Sequence, residues 1–113
     1  MHEMSLMQSA LDVALDHASG AGATRIVSIT LRVGEISSVV PEALAFAFEC
    51  MREDTLASGA TLHIEPVAAR CRCRACATEF HPPGAVFECP DCGRPGGEVV
   101  SGREIELSRM EIE

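Results

Sequence analysis

The sequence predicts an α+β fold: a small three-stranded sheet with two helices, interrupted by a zinc-ribbon-like four-cysteine module. Three observations predict it. Two stretches, near residues 4–18 and 41–51, carry apolar residues at helical spacing. Three stretches, near 25–33, 62–65 and 98–112, alternate apolar and polar residues as half-buried strands do. Ahead of the last strand stand two C-x2-C pairs, Cys73/Cys76 and Cys89/Cys92, twelve residues apart. The expected division is therefore one unit of residues 1–69 with 99–113, and an inserted metal-binding unit of residues 70–98.

Met4, Leu6, Met7, Leu11, Ala14, Leu15 and Ala18 form the stripe of the first helix. Ser5 with Gln8 three residues on reads as a capping box, placing the helix start there or slightly earlier. Ser19-Gly20-Ala21-Gly22 ends it. In the first strand Val27, Ile29, Leu31 and Val33 face the core, and Ser28, Thr30 and Arg32 face water. After the loop Gly34-Glu35-Ile36-Ser37-Ser38, Pro41 suits the first turn of the second helix, with Glu42 favourable at its positive end. Leu44, Ala47, Phe48 and Met51 are its buried stripe. Cys50 reads as a small apolar core residue.

Leu62 and Ile64 alternate with His63 and Glu65 in a second strand. Pro66 cannot donate to a ladder, so this strand belongs at an edge or breaks there. Pro82-Pro83-Gly84 is the hairpin tip of the module and Pro95-Gly96-Gly97 its exit. The last strand runs from about Glu98 to Ile112. Its apolar phase shifts from Ile105 and Leu107 to Met110 and Ile112, which predicts a bulge near Ser108 or Arg109. The two strands flanking the module are expected to pair near its base.

A tight turn over a C-x2-C pair aims both sulfurs at one point, and two such turns supply the four thiolates of a closed zinc site. Pro90 stiffens the second turn and Gly93 permits the positive φ that follows it. Four sulfur ligands leave no open coordination position, so a metal there holds the loop together and does no chemistry. A disulfide framework, an iron site on the same ligands and unconnected thiols are the rival readings. Cys71 is a spare thiol with worse spacing, and His81 a weak accessory-ligand candidate.

The formal charge is −8. Four thiolates less the two charges of Zn2+ take it to −10, a poor match for a phosphate backbone. Nucleic-acid binding is therefore disfavoured. Arg70, Arg72 and Arg74 read as solvated strand residues that offset thiolate charge. No apolar run approaches a membrane span, and no signal peptide is legible. C-x2-C pairs without a secretion signal point to a reducing cytoplasm.

No nucleophile–base arrangement and no phosphate loop stand out, so no catalytic residue is assigned. His17 and His63 read as surface residues. Glu104 with Glu106, and Glu111 with Glu113, read as a solvated strand face. The opening Met1-His2-Glu3 is chemically distinctive. The α-amine of Met1, the backbone nitrogens of His2 and Glu3, and the His2 imidazole can make the square-planar nitrogen set that suits Ni(II) or Cu(II). The bulk of His2 also disfavours removal of Met1 by aminopeptidase.

These residues carry a resemblance. Met1-His2-Glu3, the Gly34-Glu35-Ile36-Ser37 loop leading to Pro41-Glu42-Ala43-Leu44, the two cysteine pairs and Ser101-Gly102-Arg103-Glu104 resemble, in order and over the whole chain, the HypA/HybF family of hydrogenase nickel-incorporation proteins. Ala77 departs from the glycine common after the first pair, and the role of a cysteine such as Cys71 stays open. The resemblance implies a nickel metallochaperone, not an enzyme. It would bind Ni(II) through Met1, His2 and Glu3, and hold structural Zn(II) at Cys73, Cys76, Cys89 and Cys92. It would deliver nickel to the maturing large subunit of a [NiFe] hydrogenase, with the GTPase HypB as partner and urease maturation proteins as a further recipient. The alternative from the residues alone is a zinc-ribbon protein-interaction adaptor without nickel function.

Overall fold

The computed structural model describes residues 3–82, 88–95 and 97–113. Pro83 and Gly84 of the expected hairpin tip, and Gly96 of the expected exit, lie outside the described residues. In chain order the described residues form α1 (Glu3–Gly20), β1 (Ile26–Gly34), α2 (Pro41–Met51), β2 (Thr61–Val67), β3 (Arg70–Arg72), β4 (Glu79–Phe80), β5 (Glu98–Ser101) and β6 (Ile105–Ile112). Two three-stranded sheets result, ordered β2-β1-β6 and β4-β3-β5.

The first sheet is built around β1, which pairs in parallel with β2 and antiparallel with β6. The parallel pairing needs a crossover, and α2 supplies it. Ile29, Leu31 and Val33 are buried as expected, beneath Met7, Leu11, Ala14 and Ala18 of α1 and Leu44, Ala47 and Phe48 of α2. Val27 is only half-buried, and Ile26 takes its place in the core. The cause is a register shift against β6 between Ile26 and Ser28, since one irregular residue reverses which side chain points inward. On the other face Arg32 lies opposite Glu65 on β2 and Glu106 on β6, with contacts of 3.8 and 2.6 Å to their carboxylates.

The bulge falls where the phase change put it. Thr30 opposes Arg109 and Leu31 opposes Leu107, leaving Ser108 as the extra residue. β2 is an edge strand and keeps Pro66 within its ladder, as a missing donor permits at an edge. Two expectations about strands are corrected. β2 and β6 do not pair at the base of the module, because β1 lies between them; β3 and β5 pair there instead. The last strand is also two strands, not one. It breaks at Gly102, whose φ of +111° brings the backbone so close to Ala69 that a Cβ would stand 2.6 Å from the Ala69 Cα. The Glu104 carboxylate accepts the Gly102 N–H at 2.6 Å and fixes the turn.

Helix α1 begins at Glu3, and its Ser5/Gln8 pair makes no capping box: the Gln8 amide donates to Asp12 Oδ1 at 2.9 Å. Met4, counted in the stripe, is 45% exposed. The helix closes with a Schellman motif. Gly22 takes φ +73°, with the Ala23 N–H on the Ala18 carbonyl and the Gly22 N–H on the Ser19 carbonyl. Helix α2 starts at Pro41 without a side-chain cap from Val40. Cys50 is exposed on α2 and so is no core residue, because the buried stripe runs through Leu44, Ala47 and Phe48.

The sheets meet at a close backbone joint. The Gly34 N–H donates to the Glu104 carbonyl (2.6 Å), the Glu35 N–H to Val67 (2.8 Å) and the Ile36 N–H to Gly102 (2.8 Å). A Cβ on Gly34 would lie 2.0 Å from the Gly102 oxygen, so only glycine fits there. Among the described residues no helix is long and apolar enough to cross a membrane.

Candidate metal centre

Each C-x2-C pair folds into a turn with the same backbone pattern. The Ala77 N–H donates to the Cys73 carbonyl (2.9 Å), and the Cys73 N–H to Thr78 (2.9 Å). In the second turn the Gly93 N–H donates to Cys89 (2.8 Å), and the Cys89 N–H to Arg94 (3.1 Å). The residue after each pair closes the turn in the left-handed region: Ala77 at φ +61° and Gly93 at φ +72°. Glycine suits that conformation, and alanine tolerates it at a cost.

The two turns bring Cys73, Cys76, Cys89 and Cys92 together. Their four Sγ atoms all lie within 4.8 Å of one another. Cys73 and Cys92 are 3.5 Å apart, as are Cys76 and Cys89. A tetrahedral zinc with Zn–S of about 2.3 Å has sulfur–sulfur edges of about 3.8 Å, so the cluster is compatible with a zinc site. One cysteine of each pair is buried (Cys73, Cys89) and its fellow is exposed (Cys76, Cys92). The centre therefore lies at the surface of the second sheet, backed by a small core of Cys71, Phe80 and Val99.

The turns prepare the sulfurs for the charged form. The backbone N–H groups of Cys76 and Ala75 hold the Cys73 thiol down to about 6, and contact with Cys92 adds to this. Thr78, through its hydroxyl and its backbone N–H, lowers the Cys76 thiol. At Cys92 the Arg94 N–H pulls downward, but the neighbouring Cys73 sulfur, burial and the remaining sulfurs outweigh it and push the thiol up to about 11. Sulfurs this close cannot all ionise without a cation between them.

The spacing of the cysteines did not reveal what joins the turns. The Thr78 hydroxyl sits 3.3 Å from Cys76 Sγ and donates to Asp91 Oδ2 at 2.9 Å, tying the first turn to the second. Cys71 is fully buried against Phe80 and Val99 and stays outside the four-sulfur group. His81 is not in that group either: its Nε2 lies 3.0 and 3.1 Å from the carboxylate oxygens of Glu35. Arg70 and Arg72 are exposed and reach the Glu79 carboxylate at 3.8 and 3.4 Å, not the thiolates.

At the other expected site, Met1 and His2 lie outside the described residues. Glu3 is the first residue of α1, and its carboxylate accepts the Val40 N–H at 3.2 Å. It thus takes up the N-cap residue's own N–H, as the glutamate of a capping box does, and sets a negative charge at the start of α2. Nothing in the local sequence signals this contact, because the partners are 37 residues apart.

A family model described as hydrogenase/urease nickel incorporation, metallochaperone, hypA matches residues 1–112. The chain belongs to the HypA family. It is 44% identical over 112 residues to the hydrogenase maturation factor HypA of Picosynechococcus sp., covering 99% of each chain. It is 39% identical over 112 residues to the protein of that name from Rhizobium leguminosarum bv. viciae, again with 99% of each covered. The fold also matches the solution structure of the nickel metallochaperone HypA from Helicobacter pylori, with a TM-score of 0.71, 27% identity, and 99% and 97% of the two chains covered. A second solution structure of a HypA protein matches with a TM-score of 0.75 at 27% identity, covering 100% and 97%. HypA is a nickel-incorporation family of hydrogenase maturation, and the helices, small sheets and four-cysteine group of this chain agree with that membership.

Proposed function

We propose that this protein is a nickel metallochaperone that holds Ni(II) at its N-terminus and delivers it to the maturing large subunit of a [NiFe] hydrogenase. Membership of the HypA family is the observation that carries the reading. In it the Met1 amine, the His2 backbone nitrogen and imidazole, and the Glu3 backbone nitrogen are the ligands. Glu3 heads α1, so its backbone nitrogen follows directly on the two residues that supply the other ligands. Its carboxylate, turned to the Val40 N–H, anchors the site's base to α2. The family resemblance makes the GTPase HypB the first partner and urease maturation proteins a second route, within the cytoplasm and without catalysis by this chain.

Structural Zn(II) at Cys73, Cys76, Cys89 and Cys92 completes the reading. The proposed two-unit division is a nickel-binding unit of residues 1–69 with 99–113 and an inserted zinc-binding unit of 70–98, with β5 straddling the second boundary. Transfer requires a site that loads and releases, and terminal nitrogen ligands do so more readily than a closed thiolate cage. Imidazole and α-amine groups titrate ordinarily at about 6.5 and 8, so mild acidification releases nickel and leaves zinc in place.

The test is nickel titration of the untagged protein beside an N-terminally extended copy and His2→Ala, with zinc content recorded for all three. The extended copy and His2→Ala are expected to lose nickel and keep zinc. An untagged, fully zinc-loaded protein that ignores nickel overturns the proposal.

A further inference from the structure

The molecule is long and thin, 55 × 24 × 17 Å. Residues 68–69 lead into the second sheet and residues 102–104 lead out of it. Both segments are tied down where they leave the first sheet: the Ile36 N–H donates to Gly102, the Gly34 N–H to Glu104, and the Ser101 hydroxyl to the Ala68 carbonyl at 3.0 Å. Those bonds fix the hinge itself but not the angle at which the four-cysteine unit stands beyond it.

One side-chain pair reaches further. Glu35 lies in the loop after β1, on the first sheet. Its Oε2 accepts the Ala69 N–H at 2.9 Å, just where the chain enters the second sheet. The same carboxylate meets Nε2 of His81, which follows β4 at the far side of that sheet, at 3.0 and 3.1 Å. A single carboxylate therefore grips the hinge and an outlying strand end at once. The Ala69 N–H and then His81 hold the Glu35 carboxyl below its ordinary value, which keeps it charged as the acceptor of both. Neither residue belongs to the four-sulfur group. Glu88 lines the same surface cavity as His81.

We propose that Glu35 and His81 form a latch that sets the orientation of the four-cysteine unit relative to the first sheet and its helices. Opening it lets that unit swing about residues 68–69 and 102–104 while each sheet stays folded. The His81 and Glu35 side chains are about half exposed, 53% and 46%. An exposed charge-assisted pair shifts such an equilibrium about two- to fivefold and does not lock it. That range suits a device a docking partner can open by covering either residue. The inference does not depend on nickel, so failure of the nickel reading leaves it standing.

The experiment uses the metal-loaded full chain and compares the wild type with Glu35→Ala, His81→Ala and the double variant. Residual dipolar couplings report the orientation of each sheet, and amide exchange reports the Ala69 N–H. In the wild type the second sheet shares most of the first sheet's alignment. In each single variant the second sheet loses alignment relative to the first. Ala69 exchanges about two- to fivefold faster in Glu35→Ala, which removes its acceptor. The double variant loses no more alignment than the worse single one, because the two residues act as a pair. Unchanged metal content and amide dispersion certify the fold; a variant that fails this check is replaced by Glu35→Gln or His81→Gln. An alignment of the second sheet that both single variants leave as it is in the wild type, or losses that simply add in the double, overturns the latch.

Discussion

Ala77 is the residue of the metal centre whose backbone conformation opposes its chemistry. It sits at φ +61°, while its counterpart in the second turn, Gly93, sits at φ +72°. The left-handed region costs a residue with a Cβ about 1–2 kcal/mol. Replacing alanine by glycine removes that cost but frees the unfolded chain, which returns about 0.4–1 kcal/mol. Ala77→Gly is therefore expected to stabilise the module by about 1 kcal/mol or slightly less. Gly93→Ala is the mirror experiment. A Cβ there would meet nothing within 4 Å, so its cost is the backbone term alone, again about 1 kcal/mol in the opposite direction. Folding and metal binding are linked in a small thiolate module. Each change thus appears as roughly a fivefold shift in zinc affinity. Competition against a chromophoric chelator, at fixed pH and under reducing conditions, measures it. The double exchange should return close to the wild-type affinity, because strain has only moved from one turn to the other. If Ala77→Gly binds zinc no tighter while Gly93→Ala binds it no weaker, left-handed strain is not what distinguishes the two turns.

Three further outcomes rest on the same geometry. Replacing Cys73 or Cys92 by serine should abolish zinc binding and melt the second sheet but leave the first sheet and its helices, read by zinc analysis and by amide dispersion. Gly34→Ala would drive a Cβ to 2.0 Å from the Gly102 oxygen, and the joint should lose several kcal/mol in urea unfolding, at the upper end for single substitutions. The folded turn holds the Cys73 thiol down to about 6, so the zinc-linked folding of the module should weaken as the solution is acidified, measured by chelator competition at stepped pH. The sign is that of a depressed acid: the favourable thiolate is present at high pH and lost as pH falls through about 6.

The sequence made legible whatever repeats at short range. Apolar periodicity placed both helices and β1, the edge position of β2 followed from Pro66, and the Ile105/Leu107 to Met110/Ile112 phase change located the bulge at Ser108. The four thiols were legible for the same reason: a C-x2-C turn is a local structure that carries its own geometry. The misses share a different cause. The inward turn of Ile26 in place of Val27 depends on a register shift against β6, a strand about eighty residues away. The break between β5 and β6 depends on Ala69 crowding Gly102, and no alternation pattern encodes that approach. Cys50 looked like core by residue type, and only the rotation of α2 about Leu44 and Phe48 decides that it faces outward. Glu3 with Val40 and Glu35 with His81 are pairings of loop and helix ends, set by how finished elements pack.

These long-range pairs also say where control can enter. Four sulfur ligands would fill every position of a tetrahedral metal, so a metal held by this group would exchange slowly and respond little to a docking protein. The contacts at the edges of the two units are of another kind. Glu35–His81 and Glu3–Val40 are solvent-facing hydrogen-bonded pairings, each weak enough for a partner's surface to replace. Both involve the segment that runs from Gly34 to Val40, Glu35 at one end and Val40 at the other. A protein that settles on that segment thus meets the acceptor that steadies the four-cysteine unit and the donor that anchors the start of α1. Mutating exposed residues between them, such as Ser38 at φ +67°, should weaken docking while leaving zinc content and the unfolding midpoint of the first sheet unchanged. A Ser38→Gly variant relaxes the strained backbone and so separates the two possibilities. If docking depends on the rigidity of this segment, pull-down of a maturation partner should weaken with glycine; if only side chains matter, glycine should bind as well as alanine does.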